Sequence, residues 1–481
     1  MTSTIRCVSP VNGELWAERP ALSPDEARAA VARARAAQPG WAAVPLEERI
    51  RLVQEGVRRL NGDKDRIVEE LAWQMGRPVR YGGEFGGVNE RAGYMGSIAE
   101  GALAPMVAED SPRFERRIER APVGVVFVIA PWNYPFLTSC NTIIPALIAG
   151  NAVMHKSASQ TLLVGERWQD AFDGLLPEGV FQNVVLDHEG TERLIRERSF
   201  GFVNFTGSVS GGQAIERAAA GTFTPLGLEL GGKDPGYVME DADLDWAVDV
   251  LMDGAMFNAG QCCCGIERIY VHDSLYDGFV DRAVAWTKQL RLGNPLDLST
   301  SIGPMANRRF ADTVRAQTAE AITAGASPLI GREVFPEDDG GTYLAPQILV
   351  NVDHSMRVMR EESFGPVVGI MPVSGDEEAL RLMNDSPYGL TASLWTQDAE
   401  RAARLGRLVE TGTVFMNRAD YLDPALTWTG TKDTGRGAAL SALGYQSVTR
   451  PRSYHFRKAK GVRPKNLRTQ IFGGAGRGRV R

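Results

Sequence analysis

The chain has 481 residues, with 53 Lys and Arg against 59 Asp and Glu, which gives a formal net charge of −6 at pH 7. This length exceeds the size at which one hydrophobic core usually stops growing, so we expect two or three domains. The acidic balance argues against nucleic acid or an anionic membrane as the main partner. The apolar content of 43% and the charged content of 23% are typical of globular proteins.

Five cysteines, three of them adjacent at positions 262–264, do not resemble a disulfide framework. The first residues lack the apolar run of a signal peptide, so we expect a reducing, cytoplasmic location. If the three adjacent thiols lay in a strand, they would alternate between its faces, and we therefore expect no metal site there.

Segment 121–154 contains no charged side chain and is long enough to suggest a membrane span. Four prolines and three asparagines interrupt it, which favours a buried strand, a loop and a buried helix instead. The N-terminal part before it is predicted to be helical. Ser23-Pro24 forms an N-cap followed by Pro at the first helical position, and helices are predicted over 23–40, 45–60 and 64–74.

From residue 123 the pattern alternates between strand and helix. Strands are predicted over 123–129, 151–155, 180–186 and 202–205, and helices over 138–149, 162–175 and 209–220. A second series begins at Asp234, with a helix towards Phe257, a strand over 268–271, a helix over 275–290 and a strand over 412–417. Such alternation predicts an α/β fold with mainly parallel, doubly wound sheets, whose ligand crevice lies beyond the carboxyl ends of the strands.

Three short stretches carry groups suited to one chemistry. They are Gly260-Gln261-Cys262-Cys263, Glu229-Leu230-Gly231-Gly232-Lys233 and Pro131-Trp132-Asn133. A thiol nucleophile needs a nearby base and a donor for the oxyanion that its attack creates. Glu229 can supply the base and Asn133 the donor, whereas a structural salt bridge and a loop cap are the plainer alternatives. The dinucleotide fingerprint Gly-x-Gly-x-x-Gly is absent. Gly207-Ser208 instead marks a strand-to-helix turn that offers backbone N–H groups to a phosphate.

The three stretches together resemble the aldehyde dehydrogenase superfamily, and the resemblance extends from about residue 8 to about residue 456. It implies that Cys263, two places after Gln261, is the nucleophile. It also implies that Asn133 and a backbone N–H form the oxyanion hole, and that Glu229 activates the water that hydrolyses the thioester. Glu229 favours hydrolysis over transfer to coenzyme A, because relatives that acylate coenzyme A generally lack it. A catalytically silent, crystallin-like binding protein is the remaining alternative.

The resemblance further implies that NAD or NADP is the cofactor. The residues expected to bind it are Trp132, Lys156, Ser159, Gly207, Ser208, Gly212, Leu230, Gly231, Glu362 and Phe364. Relatives that prefer NAD often have Glu at the position of Ser159, where a carboxylate would repel a 2′-phosphate. Ser159 therefore permits NADP, and the preference between the two cofactors stays open.

The substrate pocket that the resemblance implies consists of Tyr134, Thr138, Asn141, Phe257 and Trp428. Aromatic walls suit a medium apolar or aromatic aldehyde, or a cationic one such as betaine aldehyde or an aminoaldehyde through cation–π contact. No cluster of arginines suggests a dicarboxylic semialdehyde, although Arg418 is a candidate contact for an anion.

The resemblance also implies a division into domains. Residues 1–105 and 123–232 form the dinucleotide-binding domain, and 233–445 the catalytic domain. Residues 106–122 and 446–460 form a bridging element of β-strands that joins subunits, so a homodimer or homotetramer is expected. Residues 461–481 are a basic C-terminal tail; from Lys458 onwards there are eight Lys or Arg and no acidic residue.

Overall fold

The computed structural model describes residues 3–458, so the expected basic tail lies outside the described residues. Within this range the helices are α1 (Pro24–Ala43), α2 (Leu46–Gly62), α3 (Lys64–Met75), α4 (Phe85–Leu103), α5 (Pro135–Ile148), α6 (Val164–Phe172), α7 (His188–Arg196), α8 (Val209–Ala219), α9 (Leu244–Met256), α10 (Tyr276–Thr287), α11 (Arg308–Thr323), α12 (Arg357–Arg360), α13 (Asp376–Asn384), α14 (Ala399–Gly406) and α15 (Ser441–Ser447).

The strands are β1 (Thr4–Val8), β2 (Leu15–Pro20), β3 (Met106–Asp110), β4 (Phe114–Pro122), β5 (Val125–Ile129), β6 (Ala152–Lys156), β7 (Phe181–Asn183), β8 (Phe202–Thr206), β9 (Leu226–Glu229), β10 (Asp234–Val238), β11 (Ile266–His272), β12 (Ser327–Pro328), β13 (Gln347–Val350), β14 (Val367–Val373), β15 (Tyr388–Gly389), β16 (Thr391–Trp395), β17 (Thr413–Met416), β18 (Thr431–Lys432), β19 (Gly435–Arg436) and β20 (Thr449–Arg457).

The first large sheet has the strand order β19-β9-β8-β5-β6-β7, and all its strands are parallel except β19. Side chains of β5 alternate between two cores. Val126 and Val128 pack with α2, α5 and α6 on one face, and Val125 and Phe127 pack with α1, α7 and α8 on the other. Helices therefore cover both faces, as the uninterrupted apolar sequence of this strand requires.

The second large sheet has the order β12-β13-β14-β11-β10-β16-β17 and is parallel except at β12. It too separates two cores. Ile269 and Val271 of β11 pack with α9, α10 and α11, whereas Tyr270 between them packs with α13 and α14. The predicted α/β class with two doubly wound, mainly parallel sheets is confirmed.

A third sheet, in the order β20-β4-β3, is antiparallel. Its longest pairing runs from Thr449 opposite Pro122 to Arg457 opposite Phe114. The side chains of Met106 and Val107 on the edge strand β3 are 61% and 63% exposed. None of the helices within residues 3–458 combines the length and apolar character needed to cross a membrane.

The sequence patterns missed one long helix, α4. It contains five glycines, which lower helix propensity, and its helical conformation depends on tertiary packing. A Cβ at Gly87 would lie 2.5 Å from Leu137, and one at Gly96 would lie 2.5 Å from Gln54. These glycines therefore let α4 approach α5 and α2 closely, and α4 contributes side chains to the site described next.

Candidate functional site

The site lies at the carboxyl edge of the first sheet. From β5 the chain continues to β6 and β7 on one side of the sheet, and β8 and β9 lie on the other side of β5. The direction of the strand order therefore reverses between β5 and β8. Loops that follow these strands carry Asn133 after β5, Lys156 at the end of β6, Ser208 after β8 and Glu229 at the end of β9. Ligands of open α/β sheets bind at such a switch point.

The cysteine turn approaches this edge from the second sheet. After α9 the backbone passes through left-handed conformations at Asn258 and Ala259, with φ of 54° and 57°, and at Gly260 with φ of 68°. A Cβ at Gly260 would collide with the carbonyl oxygen of Gly365. Only glycine fits this position, because it combines positive φ with a close backbone approach. The turn then places residues 262–264 before β11.

The three thiols of this turn are close together. Their Sγ atoms all lie within 4.8 Å of one another, and Cys263 is the one that is partly exposed. The expected divergence of the thiols is wrong, because the residues form a turn and not a strand. The Cys262 and Cys264 thiols both donate to Asp420 Oδ1, at 3.2 Å and 2.9 Å. The neighbouring thiols of Cys262 and Cys264, aided by the backbone N–H groups of residues 263 and 264, hold the pKa of the Cys263 thiol well below its usual value.

Asn133 lies beside the cysteine turn. Its Nδ2 donates to the backbone oxygen of Gln261 at 3.2 Å. A buried arginine fixes its backbone: Arg77 donates to the Asn133 carbonyl oxygen and forms a 2.7 Å ion pair with Glu84. Glu84 in turn accepts from the N–H of Leu137 at 2.6 Å, in the first turn of α5. Sequence reasoning missed both Arg77 and Glu84, because neither lies in one of the recognised motifs.

Glu229 ends β9, next to Thr206 of β8. Thr206 Oγ1 donates to its carboxylate at a long 3.4 Å. Burial, followed by the nearby charge of Cys263, raises the pKa of Glu229 to about 7, while the positive charge of Arg91 opposes the rise. A carboxyl group with such a pKa can exchange a proton near neutrality. The structure thus brings the predicted base into the electrostatic environment of the predicted nucleophile.

The predicted phosphate-binding turn lies between β8 and α8. Ser208 is the N-cap of α8 and accepts from the N–H of Gly211 at 3.2 Å. A Cβ at Gly207 would lie 2.8 Å from the Phe205 ring, and one at Gly212 would lie 2.6 Å from Leu230. Small residues thus form the turn at the N-terminus of α8, and the free backbone N–H groups of a helix N-terminus fit a bound pyrophosphate.

The ribose-binding candidates lie at the neighbouring strand. Burial lowers the pKa of Lys156 to about 8, and its Nζ donates to the Ser157 carbonyl oxygen at 3.4 Å. Ser159 begins a short 3₁₀ helix and its side chain is exposed. A lysine and an exposed hydroxyl at this edge fit the hydroxyl groups or the 2′-phosphate of an adenosine ribose.

Glu362 lies in the segment before β14 and contacts the glycines that follow Glu229. It accepts from the N–H of Gly232 at 3.0 Å, and a Cβ at Gly231 would collide with its carboxylate. Burial, followed by the negative charge of Glu267, raises the pKa of Glu362 to about 8. Glu267 is itself paired with buried Lys233 and accepts from the N–H groups of residues 363 and 364.

The two aromatic side chains expected near the cofactor are in contact. The ring of Trp132 meets that of Phe364 edge-on, with centroids 5.5 Å apart, and stacks on Phe310 at 5.2 Å. The site therefore joins the loop after β5 to the segment before β14. Phe310, at the start of α11, was not predicted from the sequence.

Two of the predicted pocket residues, Thr138 and Asn141, lie on α5, Tyr134 immediately precedes this helix, and two lie elsewhere. Tyr134 packs, together with Cys263, against the core cluster that contains Trp428. Trp428 is 5% exposed and pairs with Ala439 by two 2.9 Å backbone hydrogen bonds. Phe257 packs edge-on against Tyr81, with centroids 4.9 Å apart. Arg418 is exposed, and its guanidinium carbon lies 3.6 Å from the centroid of the Tyr421 ring.

Comparisons with known proteins agree with this geometry. Residues 1–454 match the model of the aldehyde dehydrogenase family. The chain is 34% identical to an aldehyde dehydrogenase of Paenarthrobacter nicotinovorans over 92% of this chain and 97% of that protein. It is 30% identical to succinate semialdehyde dehydrogenase [NAD(P)+] of Escherichia coli, over 91% and 94% of the two chains.

The fold is also that of a solved structure. NADP-dependent glyceraldehyde-3-phosphate dehydrogenase from Bacillus halodurans, complexed with NADP, has a TM-score of 0.88 and 32% identity over 95% of this chain and 96% of that one. The protein belongs to the aldehyde dehydrogenase family. It is an NAD(P)-dependent enzyme that acts on an aldehyde.

Proposed function

We propose that the enzyme oxidises its aldehyde to the carboxylic acid by a hydrolytic route through a thioester on Cys263. The observation that carries this proposal is the position and pKa of Glu229. Burial and the charge of Cys263 raise the pKa of its carboxyl group to about 7. The group can therefore take a proton from water at neutral pH.

Each residue of the site has a distinct role in the proposed reaction. The Cys263 thiolate attacks the aldehyde carbon, and the Asn133 amide together with the backbone N–H of Cys263 stabilises the resulting oxyanion. A nicotinamide held beside Trp132 and Phe364 would supply the acceptor for the hydride. Glu229 then removes a proton from water as the water attacks the thioester carbonyl, the carboxylic acid leaves, and the Cys263 thiolate is regenerated. Arg77 and Glu84 are positioning residues in this scheme, because they hold the Asn133 backbone without reaching the substrate.

The remaining cofactor assignments are part of the proposal. The turn at Gly207 and Ser208, with Gly212 and Leu230 behind it, holds the pyrophosphate. Lys156 and Ser159 bind the adenosine ribose, and Glu362 with Gly231 holds the nicotinamide ribose beside Trp132 and Phe364. Ser159 carries no negative charge that would exclude a 2′-phosphate, which supports use of NADP as well as NAD.

For the substrate we propose a medium apolar or aromatic aldehyde. Tyr134 and Trp428 support it, since Tyr134 and Cys263 both pack against the hydrophobic cluster that contains Trp428. A cationic aldehyde, the third option from the sequence, is disfavoured by Arg91. The guanidinium group of Arg91 is buried near Glu229, and it would repel a second positive charge.

The domain and subunit organisation is also proposed. The division into 1–105 with 123–232, 233–445, and 106–122 with 446–460 is supported by the two large sheets and the antiparallel third sheet, with β19 of the 233–445 segment as the one strand that crosses to the first sheet. A homodimer or homotetramer that uses the third sheet is supported by the exposed apolar side chains of its edge strand β3. Light scattering that returns the mass of a single chain would exclude it.

The decisive test is Cys263→Ala. The variant is expected to lose at least about 10⁴-fold of its aldehyde oxidation, because the nucleophile is gone, and still to bind NAD or NADP. Absorbance of the reduced nicotinamide and quenching of protein fluorescence measure the two properties. Turnover that persists in the variant would refute the proposed mechanism. If wild-type turnover requires added coenzyme A, the acyl group of the thioester is transferred to coenzyme A and not hydrolysed.

A further inference from the structure

The cysteine turn and Asp420 bring four potential metal ligands together, and we call these four residues the thiol cluster. Cys262 Sγ and Cys264 Sγ lie 3.6 Å apart, and they lie 3.2 Å and 2.9 Å from Asp420 Oδ1. The Sγ atom of Cys263 lies within 4.8 Å of both other sulfur atoms. The proposed reaction uses only Cys263 as a reacting group, so it does not explain why the other three groups converge.

The separations in the thiol cluster are close to those of a tetrahedral metal site. Zn²⁺ binds cysteine sulfur at about 2.3 Å and a carboxylate oxygen at about 2.0 Å, which places two sulfur ligands about 3.8 Å apart and a sulfur and an oxygen about 3.5 Å apart. The three separations measured here are shorter than these values by about 0.2–0.6 Å. Small outward movements of the side chains would therefore admit a cation in place of two thiol protons.

The thiol cluster is reached from solvent on one side. Cys262 and Cys264 are 4% and 1% exposed, whereas Cys263 and Asp420 are each partly exposed. A cation can therefore approach past Cys263 and Asp420, and the two buried thiols then enclose it.

Asp420 contributes a charge that its present partners compensate poorly. Among residues 3–458 no Lys, Arg or His forms an ion pair with its carboxylate. Its Oδ1 accepts from two thiols, and a thiol is a weak donor. Carboxylates with little access to water usually pair with a cation or coordinate a metal. The donor set of three sulfurs and one oxygen favours a thiophilic cation over Mg²⁺ or Ca²⁺, which prefer oxygen ligands.

We propose that the thiol cluster binds one thiophilic divalent cation, with Zn²⁺ as the cation that fits its donors and spacing, and that this binding inhibits the enzyme reversibly. The Cys262 and Cys264 thiols lose their protons to solvent, Cys263 and Asp420 bind in their ionised forms, and the cation keeps its oxidation state. Metal binding is independent of the proposed function. The inhibition rests on it, because the Cys263 sulfur is then bound to the metal and does not attack the aldehyde.

The first experiment measures metal binding in the absence of turnover. The full chain is purified without a polyhistidine tag, freed of metal with a chelator, kept reduced with a phosphine and titrated with Co²⁺ as a spectroscopic substitute for Zn²⁺. We expect one cation per chain, a near-ultraviolet sulfur-to-cobalt charge-transfer band and the strong visible bands of tetrahedral Co²⁺. Added Zn²⁺ should abolish these bands, since thiolate ligands favour it. Absence of the charge-transfer band would overturn the proposal.

Substitution of each ligand should weaken binding. Cys262→Ser, Cys264→Ser and Asp420→Asn are each expected to raise the Kd for Zn²⁺ at least about 10-fold, measured by competition with a chromophoric chelator. Cys263→Ser should lower the charge-transfer intensity by about one third, because one of three sulfur ligands is lost. Dinucleotide binding, followed by fluorescence quenching, shows which variants are folded, and the wild-type spectrum tests the site even if one variant is not.

Cys7→Ser is the matched control. Cys7 is also a buried free cysteine, and its thiol donates to the Gln160 carbonyl oxygen at 3.1 Å, away from the thiol cluster. This variant should bind Zn²⁺ and Co²⁺ as the wild type does. Equal weakening in Cys7→Ser and in the cluster variants, or no weakening in any cluster variant, would place the cation elsewhere and overturn the proposal.

The second experiment measures turnover at buffered free Zn²⁺. At a free concentration about ten times the Kd, the wild-type rate is expected to fall about 10-fold by mass action, and EDTA should restore it in full. Inhibition that a thiol reverses and EDTA does not would indicate a disulfide between neighbouring cysteines and would overturn metal inhibition. Full turnover with the cluster occupied would overturn it as well. A protein that binds Co²⁺ at the cluster and oxidises no aldehyde even without Zn²⁺ would instead count against the proposed function.

Discussion

Two glutamates of the site, one from each large sheet's side of the chain, have raised pKa values. Glu229, on the side of the first sheet, titrates at about 7, and Glu362, on the side of the second, at about 8; burial is the main cause for both. Their hydrogen bonding differs. Glu229 receives one long bond from a threonine hydroxyl at 3.4 Å, whereas Glu362 accepts from the backbone N–H of Gly232 at 3.0 Å.

The charges that raise the two pKa values in addition to burial also differ. After burial, the charge that raises the pKa of Glu229 is that of Cys263 itself, whereas for Glu362 it is that of Glu267. Glu267 belongs to a fixed network with Lys233 and the backbone of residues 363 and 364. A raised pKa alone therefore does not identify a base. A loosely bonded carboxyl group beside the nucleophile is suited to proton transfer, and a carboxyl group held by backbone is suited to binding.

The largest effect that separates the two glutamates is expected from Glu229→Gln. The amide keeps the shape and cannot take a proton, so the thioester should form and then persist. Steady-state turnover is expected to fall by about 10²- to 10⁴-fold, while a rapid burst yields one reduced nicotinamide per enzyme. Stopped-flow absorbance measures both phases. A variant with neither burst nor turnover would assign Glu229 to an earlier step.

The pH profile provides an independent check on Glu229. Only the ionised carboxylate can act as the base, and below its pKa of about 7 it is protonated. Wild-type turnover limited by hydrolysis should therefore rise as pH increases through about 7 and fall below it. The residual turnover of the Gln variant should lack this limb. If the wild type and the Gln variant show the same rise of turnover with pH, a group other than Glu229 causes it.

A smaller and different effect is expected from Glu362→Gln. The burst and the hydrolysis should both survive, because Glu229 is intact, whereas KM for the dinucleotide should rise by about 10-fold, because an amide nitrogen replaces one hydrogen-bond-accepting oxygen. Initial rates against cofactor concentration measure this change. If Glu362→Gln instead showed a burst followed by arrest, the assignment of the two glutamates would be reversed.

The sequence predicted one side of the site much better than the other. Asn133, Ser208 and Glu229 each follow a strand within a short motif, and the carboxyl ends of neighbouring parallel strands meet at one edge. The residues that surround Asn133 and the pocket could not be predicted in this way. Arg91 lies on α4, whose glycines conceal a helix, and its nearness to Glu229 depends on how α4 packs on α5.

The geometry of the cysteine turn also could not be predicted from the sequence. The adjacency of three cysteines is visible in the sequence, but their geometry depends on the left-handed backbone of Asn258 and Ala259 before them. That backbone produces a turn in which two thiols converge on Asp420, far away in the chain. Asp420 carried no recognisable signal, because a single acidic residue after a strand is common.

An effect confined to one cofactor is expected from Ser159→Glu, which tests the proposed adenosine-ribose end of the cofactor site. The new carboxylate should repel a 2′-phosphate and can accept from the hydroxyl groups of an unmodified ribose. We expect kcat/KM with NADP to fall about 10-fold, in line with one unfavourable charge contact, and kcat/KM with NAD to change by less than about 3-fold. Because Ser159 is exposed, the substitution should not disturb folding, and Ser159→Ala controls for loss of the hydroxyl alone. Equal losses with both cofactors would show that residue 159 does not contact the 2′ position. A selective loss with NADP, at unchanged burst amplitude with NAD, would localise cofactor choice to the 3₁₀ helix that follows β6 and separate it from the chemistry of Glu229.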